Sequence, residues 1–280
     1  MARLEVTSFR RGDIPFGMEL TDAEQWRRTV LDWRRLYDLE PKGLFKAVLD
    51  GREVGVAAAL TYDRACWIHS VIVRKDVQRS GIGSALVKRC LEFARSRGAA
   101  TVKLDSIGGC EPFYERLGFV REHESFRFFG EATAYASDAD HLEKSDLPEI
   151  CAFDKRVTGL DRQRALALIY RDAPELAYVI RAQGKLRGYL LGRWGDDRIQ
   201  IGPCVVYPDR ASYAEQLLSA MINDNKGWTF RACVLGLNPK ARAVVEKAGL
   251  KMVSTATRMY QGATLKESPS VYVMMSAEKG

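Results

Sequence analysis

The stretch from Cys66 to Gly98 constrains the fold of this chain most strongly, because it predicts a strand, a loop and a helix in direct succession. The run CWIHSVIV is apolar and rich in β-branched residues, which favours a buried strand. From Ser84 onward apolar residues recur at spacings of three and four, which is typical of an amphipathic helix, and Gly98 supplies a stop signal. Between strand and helix lies a charged loop that ends in Gly81-Ile82-Gly83.

The start of that helix is suited to binding a phosphate. The first backbone N–H groups of a helix lack intrahelical partners and carry a partial positive charge. Glycines at positions 81 and 83 let a phosphate approach the backbone, and Arg79 adds a cation. A plain tight turn would explain a Gly-x-Gly pair equally well, so the pair alone does not establish a phosphate site.

Two nucleotide-binding motifs do not fit the loop. A Walker-type loop needs Gly-Lys-Ser/Thr at the helix start, where this chain has Gly83-Ser84-Ala85. A dinucleotide fingerprint needs Gly or Ala at its sixth position, where Leu86 stands, and a short uncharged loop in place of RKDVQRS.

The loop matches a third pattern. Val71-x-Val73 followed by Gln78-Arg79-Ser80-Gly81-Ile82-Gly83 resembles, at every position, the pyrophosphate loop of the GNAT acetyltransferases, which is Gln/Arg-x-x-Gly-x-Gly/Ala after a Val-x-Val strand. Beyond the helix, Tyr114-Glu115-Arg116-Leu117-Gly118-Phe119 is similar to the family's Tyr-x-x-Leu-Gly-Phe signature. Two signatures in the right order make the resemblance specific.

The resemblance implies an α+β fold with a mixed sheet, the GNAT fold, and acetyl-CoA as the cofactor. Ile107 departs from the family, many members of which carry an Asn there that contacts the cofactor or fixes the loop. The cofactor-binding residues that the resemblance implies lie on the strand, the loop, the helix start and the second signature: Val71, Ile72, Val73, Gln78, Arg79, Ser80, Gly81, Ile82, Gly83, Ser84 and Tyr114.

The rest of the first half fits the element order of that fold. Strand 4–9 is followed by a helical region, where Thr21 and Glu24 predict a capping box for a helix that runs to about Tyr37. Strands 44–49 and 53–60 then form a hairpin around Asp50-Gly51-Arg52. After the helix that Gly98 ends, we expect strands at 101–105 and 120–129.

The second half replays this plan in diverged form. Residues 131–139 are small and polar, which predicts a linker between a first domain, 1–130, and a second, 140–280. The expected elements of the second domain are helices near 147–153 and 162–170, a hairpin of 177–181 with 187–193, a strand at 199–206 and a helix at 213–223. Its loop 207–212 has no glycine, and Val245 stands where the family carries Tyr. We therefore predict a catalytic first domain and a degenerate GNAT-like second domain that binds no coenzyme A. We expect the second domain to form one wall of the cleft that binds the acceptor.

Charge, apolar content and the numbers of cysteines and histidines limit the binding partners, the compartment and the metal sites that we expect. The net charge of +7 could indicate a nucleic-acid partner, but the basic residues are scattered or lie on polar helix faces with acids nearby. No apolar run is long enough to span a membrane and the N-terminus lacks the apolar core of a signal peptide, so we expect a cytoplasmic protein. The six cysteines form no Cys-x-x-Cys pair, which predicts reduced, buried thiols, and the three histidines lack metal-ligand spacing, so no metal is expected.

The expected reaction is N-acetyl transfer from the thioester to a primary amine of a small molecule or peptide, by direct attack. The family implies that a backbone N–H near Val71 stabilises the thioester oxygen as it becomes an oxyanion. Tyr114 is the predicted general acid for the leaving thiolate. A core aromatic residue is the alternative interpretation of Tyr114.

A base or an ordered water chain must remove the proton of the amine, since an ammonium group with a pKa near 10.4 is not nucleophilic. The candidates are Asp105, His69, and Glu19 or Glu24 in the helical region that covers the acceptor site in this fold. Asp105 could equally bind the substrate ammonium, and His69 could be a half-buried histidine with satisfied hydrogen bonds. The predicted acceptor-binding residues are Glu19, Glu24, Trp26 and Asp105.

The alternative function is a non-catalytic acyl-CoA sensor or regulatory protein whose second domain responds to the ligand. Turnover separates the two hypotheses, because an enzyme releases free thiol when a suitable amine is present. The identity of the amine, the acyl length and the oligomeric state are left open.

Overall fold

The computed structural model describes residues 3–208 and 210–276; Asp209, in the predicted loop 207–212, lies outside the described residues. The α-helices are α1 Ile14–Ala23, α2 Val30–Leu39, α3 Ile82–Ser96, α4 Glu111–Glu115, α5 Leu147–Thr158, α6 Gln163–Asp172, α7 Ala211–Asp224 and α8 Pro239–Lys247. The strands are β1 Leu4–Ser8, β2 Leu44–Leu49, β3 Arg52–Tyr62, β4 Ala65–Val73, β5 Thr101–Ser106, β6 Val120–Gly130, β7 Asp140–His141, β8 Ala177–Ala182, β9 Lys185–Trp194, β10 Arg198–Val206, β11 Thr229–Leu235, β12 Lys251–Gly262 and β13 Val271–Val273. The predicted α+β class is confirmed.

The chain forms two compact units, and neither is continuous in sequence. Unit 1 takes its described residues from Met1–Leu104, Cys110–Val120 and Met259–Leu265. Unit 2 takes its described residues from Asp105–Gly109, Arg121–Arg258 and Lys266–Gly280. Each of the predicted domains, 1–130 and 140–280, therefore contributes to both units. We keep those bounds as a proposal for the two repeats.

The sheet of unit 1 runs in the order β1, β2, β3, β4 and β5. Its neighbours are antiparallel up to β4, and β4 is parallel to β5. The apolar stripe of α3, with Leu86, Val87 and Cys90, packs on one face of the sheet, where Met259 joins the same core. A second core on unit 1 contains Phe16 of α1 and residues of α2. These contacts fix the strand, loop and helix that carry the first signature.

The helices before β2 differ from the prediction. Thr21 lies in the last turn of α1 and its hydroxyl donates to carbonyls one turn earlier, so the capping box predicted for Thr21 and Glu24 is wrong. The capping box forms at Thr29 and Asp32, where each backbone N–H donates to the other side chain at 3.0 Å. Both pairs satisfy the local rule, and burial of the apolar face of α1 places Thr21 inside a helix.

The local elements around the first signature are confirmed. β2 and β3 pair as the predicted hairpin. Gly98 follows α3 at a φ of +73°, a left-handed conformation that glycine adopts without strain. β5 and β6 occupy the predicted positions, as do the hairpin of β8 and β9, β10 and α7 in the second half.

Unit 2 has the strand order β6, β11, β10, β9, β8 and β7, with β13 paired to β10. Its core lies between this sheet and helices α7 and α8, and includes Leu217, Met221 and Val245. Four apolar residues of β10 are buried: Ile199, Ile201, Val205 and Val206. β12 and β13 follow α8, and their sequences contain no local signal that predicts which strands they pair with.

All six cysteines are free thiols, and Cys110 differs from the prediction because it is exposed. The described helices include none long and apolar enough to cross a membrane.

Candidate active site

The second half of β4 separates from β5. The two strands pair in parallel only at Ala65, Cys66 and Trp67. β3 continues along the other side of β4 as far as Val73. Among the described residues, then, the backbone of β4 from Ser70 to Val73 has no strand partner on the β5 side, and its polar groups there are suited to binding a ligand. Val71, Ile72 and Val73, predicted to hold the cofactor, lie in this part of β4.

A bulge interrupts β4 at the point of separation. The register with β3 shifts between Val56 and Ala58, and Ser70 adopts a φ of +56°. A residue other than glycine rarely occupies this region, and inside a strand it indicates a local requirement. His69 and Ser70 are both buried here, at 7% and 4% exposure.

The N-terminus of α3 lacks a side-chain cap within the described part of the chain. Its N-cap residue is Gly81, at a φ of +88°, and the first helical bond runs from the Ala85 N–H to the Gly81 carbonyl at 3.0 Å. The N–H groups of residues 82–84 precede that bond and have no intrahelical partner. A Cβ on Gly81 would meet no atom within 4 Å, so the space beside it is open.

Two side chains brace the loop before α3. Gln78 donates to the Val73 carbonyl at 3.0 Å, and Ser80 donates to the Val77 carbonyl at 2.6 Å. Arg79 is exposed and adopts a φ of +64°. The loop is thereby tied to the end of β4 while the Arg79 side chain is presented to solvent.

Tyr114 lies close to the loop through Phe113. A Cβ on Gly83 would be 3.4 Å from the Phe113 ring, and the Phe113 and Tyr114 rings are 4.9 Å apart, edge to face. Tyr114 is 9% exposed, and burial raises the pKa of its hydroxyl, with the Cys110 and Cys90 thiols adding to the shift. The hydroxyl is therefore protonated at neutral pH.

The acidic residues predicted near the acceptor are engaged by cations. Glu19 accepts two hydrogen bonds from Arg74, at 2.5 and 2.8 Å, and this pairing lowers the pKa of Glu19. Glu24 lies 4.0 Å from Lys75. Trp26 packs beside Arg28, whose guanidinium carbon is 5.3 Å from the Trp26 ring.

An open groove of about 990 Å³ is lined by residues of α1, of α2 and of the segment before α1. Met18, Glu19, Asp22 and Arg34 are among the residues that line it. None of the described donor-binding residues lines this groove, so its volume does not bear on the donor site.

Asp105 lies in unit 2, in a buried cluster of charges. Its Oδ1 is 2.7 Å from Nε of Arg258, which is fully buried, and its Oδ2 accepts a hydrogen bond from Ser125 at 3.1 Å. The Arg127 guanidinium is 4.0 Å away. Both carboxylate oxygens are thus engaged by neighbouring donors or cations.

The same cluster contains a histidine that the sequence did not single out. His123 Nε2 is 2.8 Å from the Glu267 carboxylate, and its Nδ1 is 2.9 Å from the Glu124 carbonyl. Ligand atoms of Glu122, His123 and Glu267 lie within 4.8 Å of one another, a spacing that a metal ion could use. Arg258, 3.2 Å from Glu267, already supplies a cation. Glu267 is 144 residues from His123 in the chain, so no spacing rule reveals the pair.

The corresponding strand of unit 2, β10, has no open edge at its bulge. It pairs in parallel with β11 at Arg198–Gln200 and then in antiparallel with β13, where Cys204 faces Val273 and Val205 faces Val271. β13 is buried along its length. The loop before α7 contains Pro208, which has no N–H to offer an anion.

Comparison with protein families gives two matches. A model described as the acetyltransferase (GNAT) family matches residues 10–119, and one described as an acetyltransferase (GNAT) domain matches residues 150–272. A glucosamine 6-phosphate N-acetyltransferase of Trypanosoma brucei brucei is 44% identical over 118 residues, which are 39% of this chain and 72% of that protein. An uncharacterised N-acetyltransferase of Methanocaldococcus jannaschii is 31% identical over 107 residues, 34% of this chain and 46% of that protein, so the chain spans about half of that relative's length.

Solved structures share the fold over almost the whole chain. A Pyrococcus horikoshii protein assigned to the acetyltransferases has a TM-score of 0.83 at 23% identity, and the match covers 99% of this chain and 96% of that one. A tandem GNAT protein from the clavulanic acid biosynthesis pathway has a TM-score of 0.65 at 14% identity, covering 95% and 100%. At these identities the likeness concerns the fold.

Proposed function

The chain belongs to the GNAT acetyltransferase family, in the form with two GNAT domains, and we propose that its first domain transfers an acetyl group from acetyl-CoA to a primary amine. One observation carries the proposal. In unit 1 the uncapped start of α3, the unpaired edge of β4 and Tyr114 occur together on elements packed against the same core.

Each part of the donor has a suitable partner there. The free N–H groups of residues 82–84 and the Arg79 side chain suit a diphosphate. The backbone of β4 from Ser70 to Val73 suits the amide groups of the pantetheine arm, since amides pair with exposed N–H and C=O groups. A backbone N–H near Val71 suits the thioester oxygen, where negative charge develops.

Tyr114 is proposed to assist the leaving thiolate. Amine attack on the thioester carbon breaks the C–S bond and releases coenzyme A, whose thiol has a pKa of about 8.5. The pKa of Tyr114 is above its ordinary value, so the phenol keeps its proton at neutral pH and donates a hydrogen bond to the sulfur as charge builds there.

For the proton of the amine we propose a water chain. Glu19 is paired with Arg74, and both oxygens of Asp105 lie against donors or cations of the cluster with Arg258, so we assign the proton transfer to neither carboxylate. We propose that Asp105 organises that cluster. Glu24 and Trp26 remain proposed contacts of the acceptor, on the segment that joins α1 to α2.

The acceptor is proposed to be a small molecule or a peptide with a primary amine. The Trypanosoma relative is named for glucosamine 6-phosphate, and it matches this chain over 118 residues only. An amino sugar phosphate therefore belongs in a first panel of acceptors, beside polyamines, amino acids and peptide N-termini.

Two measurements on the full-length chain test the proposal. Acetyl-CoA is expected to raise the melting temperature, while NAD and ATP leave it nearly unchanged. Release of free thiol from acetyl-CoA in the presence of an acceptor is expected for at least one amine of the panel. Stabilisation by NAD alone would contradict the assignment of acetyl-CoA as the donor. Binding of acetyl-CoA without thiol release for any amine of the panel would favour the acyl-CoA sensor.

The second domain is proposed to bind no donor. β13 occupies the edge of β10 that corresponds to the open edge of β4, and Pro208 lies in the loop before α7. Titration calorimetry is expected to give one acetyl-CoA per chain, and two equivalent sites would contradict this.

A further inference from the structure

Three buried polar side chains meet at the bulge of β4. Arg28 Nη1 donates a hydrogen bond to Ser70 Oγ at 2.8 Å, and His69 Nδ1 lies 2.7 Å from the same oxygen. Exposure is 7% for Arg28, 7% for His69 and 4% for Ser70. Ser70 also adopts a left-handed φ of +56°, a conformation that a residue other than glycine adopts only at a cost in backbone strain.

The direction of the bond between Ser70 and His69 follows from the donors and acceptors present. A guanidinium has no acceptor, so Arg28 can only donate to Ser70 Oγ. A buried hydroxyl hydrogen needs an acceptor of its own. Among the partners that the described residues provide for Ser70, Nδ1 of His69 is the one that can accept. Ser70 therefore donates to Nδ1, and Nδ1 carries no hydrogen.

We propose that Arg28 and Ser70 are positioning residues that hold His69 as a neutral imidazole with its hydrogen on Nε2. This rests on the proposed function as far as it concerns turnover, since it decides what His69 contributes there. An Nε2–H group is a hydrogen-bond donor, and it cannot accept the proton of the attacking amine. His69 is then a hydrogen-bond donor in the site and not its general base.

Arg28 is well held for this role. Its guanidinium carbon lies 5.3 Å from the Trp26 ring and 5.4 Å from the Trp33 ring. Arginine keeps its charge when buried, and stacking on indole rings stabilises it. Arg28 follows two residues with positive φ, Gln25 at 55° and Arg27 at 49°. The arginine thus ties the segment between α1 and α2, where the acceptor contacts are proposed, to His69 on β4.

The tautomer can be measured without any substrate. In the full-length chain labelled with ¹⁵N-histidine, three imidazoles give separate ¹⁵N–¹H correlations, and His69→Gln assigns the signal of His69. The expected pattern has an unprotonated Nδ1 and a protonated Nε2. A protonated Nδ1 in the wild-type chain overturns the proposal, whatever the enzyme turns out to acetylate.

Two variants at position 70 separate the hydroxyl from the backbone. Ser70→Ala and Ser70→Gly both remove the donor, and glycine also relieves the left-handed conformation. Both are expected to convert His69 to a mixture of tautomers. If only the alanine variant changes, the backbone sets the tautomer and the role given to the hydroxyl is wrong. Melting temperatures of both variants show that the chain remains folded.

Turnover gives the second readout once an acceptor is known. Gln in place of His presents an N–H near the position of Nε2 but has no basic nitrogen. His69→Gln is therefore expected to retain turnover within about tenfold, while His69→Ala loses about 10²–10³-fold, as for a removed transition-state donor. Equal losses in the two variants would identify a base and contradict the proposal. If no amine supports turnover, the proposed function fails while the tautomer measurement still decides this inference.

Discussion

β4 and β10 begin alike and end differently. Each pairs in parallel with the following strand for three residues, and each then bulges against the preceding strand. Beyond the bulge, the edge of β4 is unpaired among the described residues, whereas β10 is paired with β13. The same arrangement of strands is thus open in unit 1 and closed in unit 2.

The residues at the two bulges show how that difference is built. Ser70 carries a side chain whose hydroxyl joins Arg28 to His69. Gly202 has a φ of +125°, and a Cβ at this position would collide with the Met274 carbonyl. The close approach of the residue that follows β13 therefore requires a glycine at position 202. One bulge directs polar side chains into a site, and the other makes room for backbone.

The presence of a packed core in both units therefore does not indicate which unit carries out the chemistry. Both units bury a helix stripe after the bulged strand, with Leu86 and Val87 on α3 and Leu217 and Leu218 on α7. What separates them is the state of one strand edge and the loop that follows it. Variants on each side of this comparison test it.

The largest effect is expected from Tyr114→Phe. Removal of the hydroxyl leaves the ring packed against Phe113 and Phe119, so turnover should fall about 10²–10⁴-fold with little change in acetyl-CoA affinity. The matched control in unit 2 is Tyr272→Phe, on β13, which should leave turnover unchanged. Steady-state thiol release measures both, and an unchanged rate for Tyr114→Phe would mean that the thiolate leaves without this residue.

Gly83→Asp should weaken acetyl-CoA binding about 100-fold or more, because like charges brought together cost several kcal/mol. A carboxylate in the first turn of α3 also stabilises the helix by about 0.3–1 kcal/mol, so the ligand-free melting temperature should hold or rise. Gly83→Asn is the neutral control, and its side chain has similar room because a Cβ there is in ordinary contact with Phe113.

The comparison of unit 1 with unit 2 is also tested by that variant. If calorimetry on Gly83→Asp still shows one strong acetyl-CoA site, the donor binds elsewhere in the chain. The assignment of the donor site to the open edge of β4 is then wrong. If both binding and the melting temperature fall, the variant reports on folding, and Gly83→Asn shows whether the glycine itself was needed.

Much of unit 1 could be predicted because its signals are local. The strand, loop and helix around Gly81 and the hairpin at Gly51 depend on residues a few positions apart, and the structure has them where the sequence places them. The capping box was misplaced for a related reason. Thr21 and Glu24 carry the same short signature as Thr29 and Asp32, and only packing of α1 decides between them.

The missed features depend on contacts between distant residues. The pairing of β13 with β10 joins segments more than 60 residues apart, and Glu267 meets His123 across 144 positions. The bulge at Ser70 left no mark in the sequence, because serine is not a residue that a left-handed conformation favours. Single-sequence patterns contain no information on such pairings.

Gly202→Ala tests the closed edge of unit 2. The added methyl would force the Met274 backbone away, so the free energy of unfolding should fall by about 1–3 kcal/mol, as for overpacked sites. Gly12→Ala, where a Cβ meets nothing within 4 Å, is the control and should be nearly neutral. Denaturant titrations compare the two. Equal stability of both variants would mean that the Met274 backbone does not pack closely against Gly202 of β10.

The smallest expected effect concerns pH and the segment that leads into β13. Glu267 in this segment pairs with His123 and with Arg258. Burial by itself lowers the pKa of His123, but the hydrogen bonds to Glu267 and the Glu124 carbonyl and the charge of Glu267 outweigh burial and the nearby Arg258, so the pKa is raised. The protonated form is then the one that the fold favours.

Because the pKa of His123 is raised on folding, its contribution to the free energy of unfolding is complete at pH values below the unfolded-state pKa of about 6.5. That contribution is lost as the pH rises through the folded-state pKa. The free energy of unfolding should therefore decline over that interval in the wild-type chain, and less so in His123→Gln. Urea titrations at closely spaced pH values measure the difference. If His123→Gln shows the same slope as the wild type, the segment before β13 is not held by a protonated histidine, and the closed edge of β10 depends on β13 pairing and burial alone.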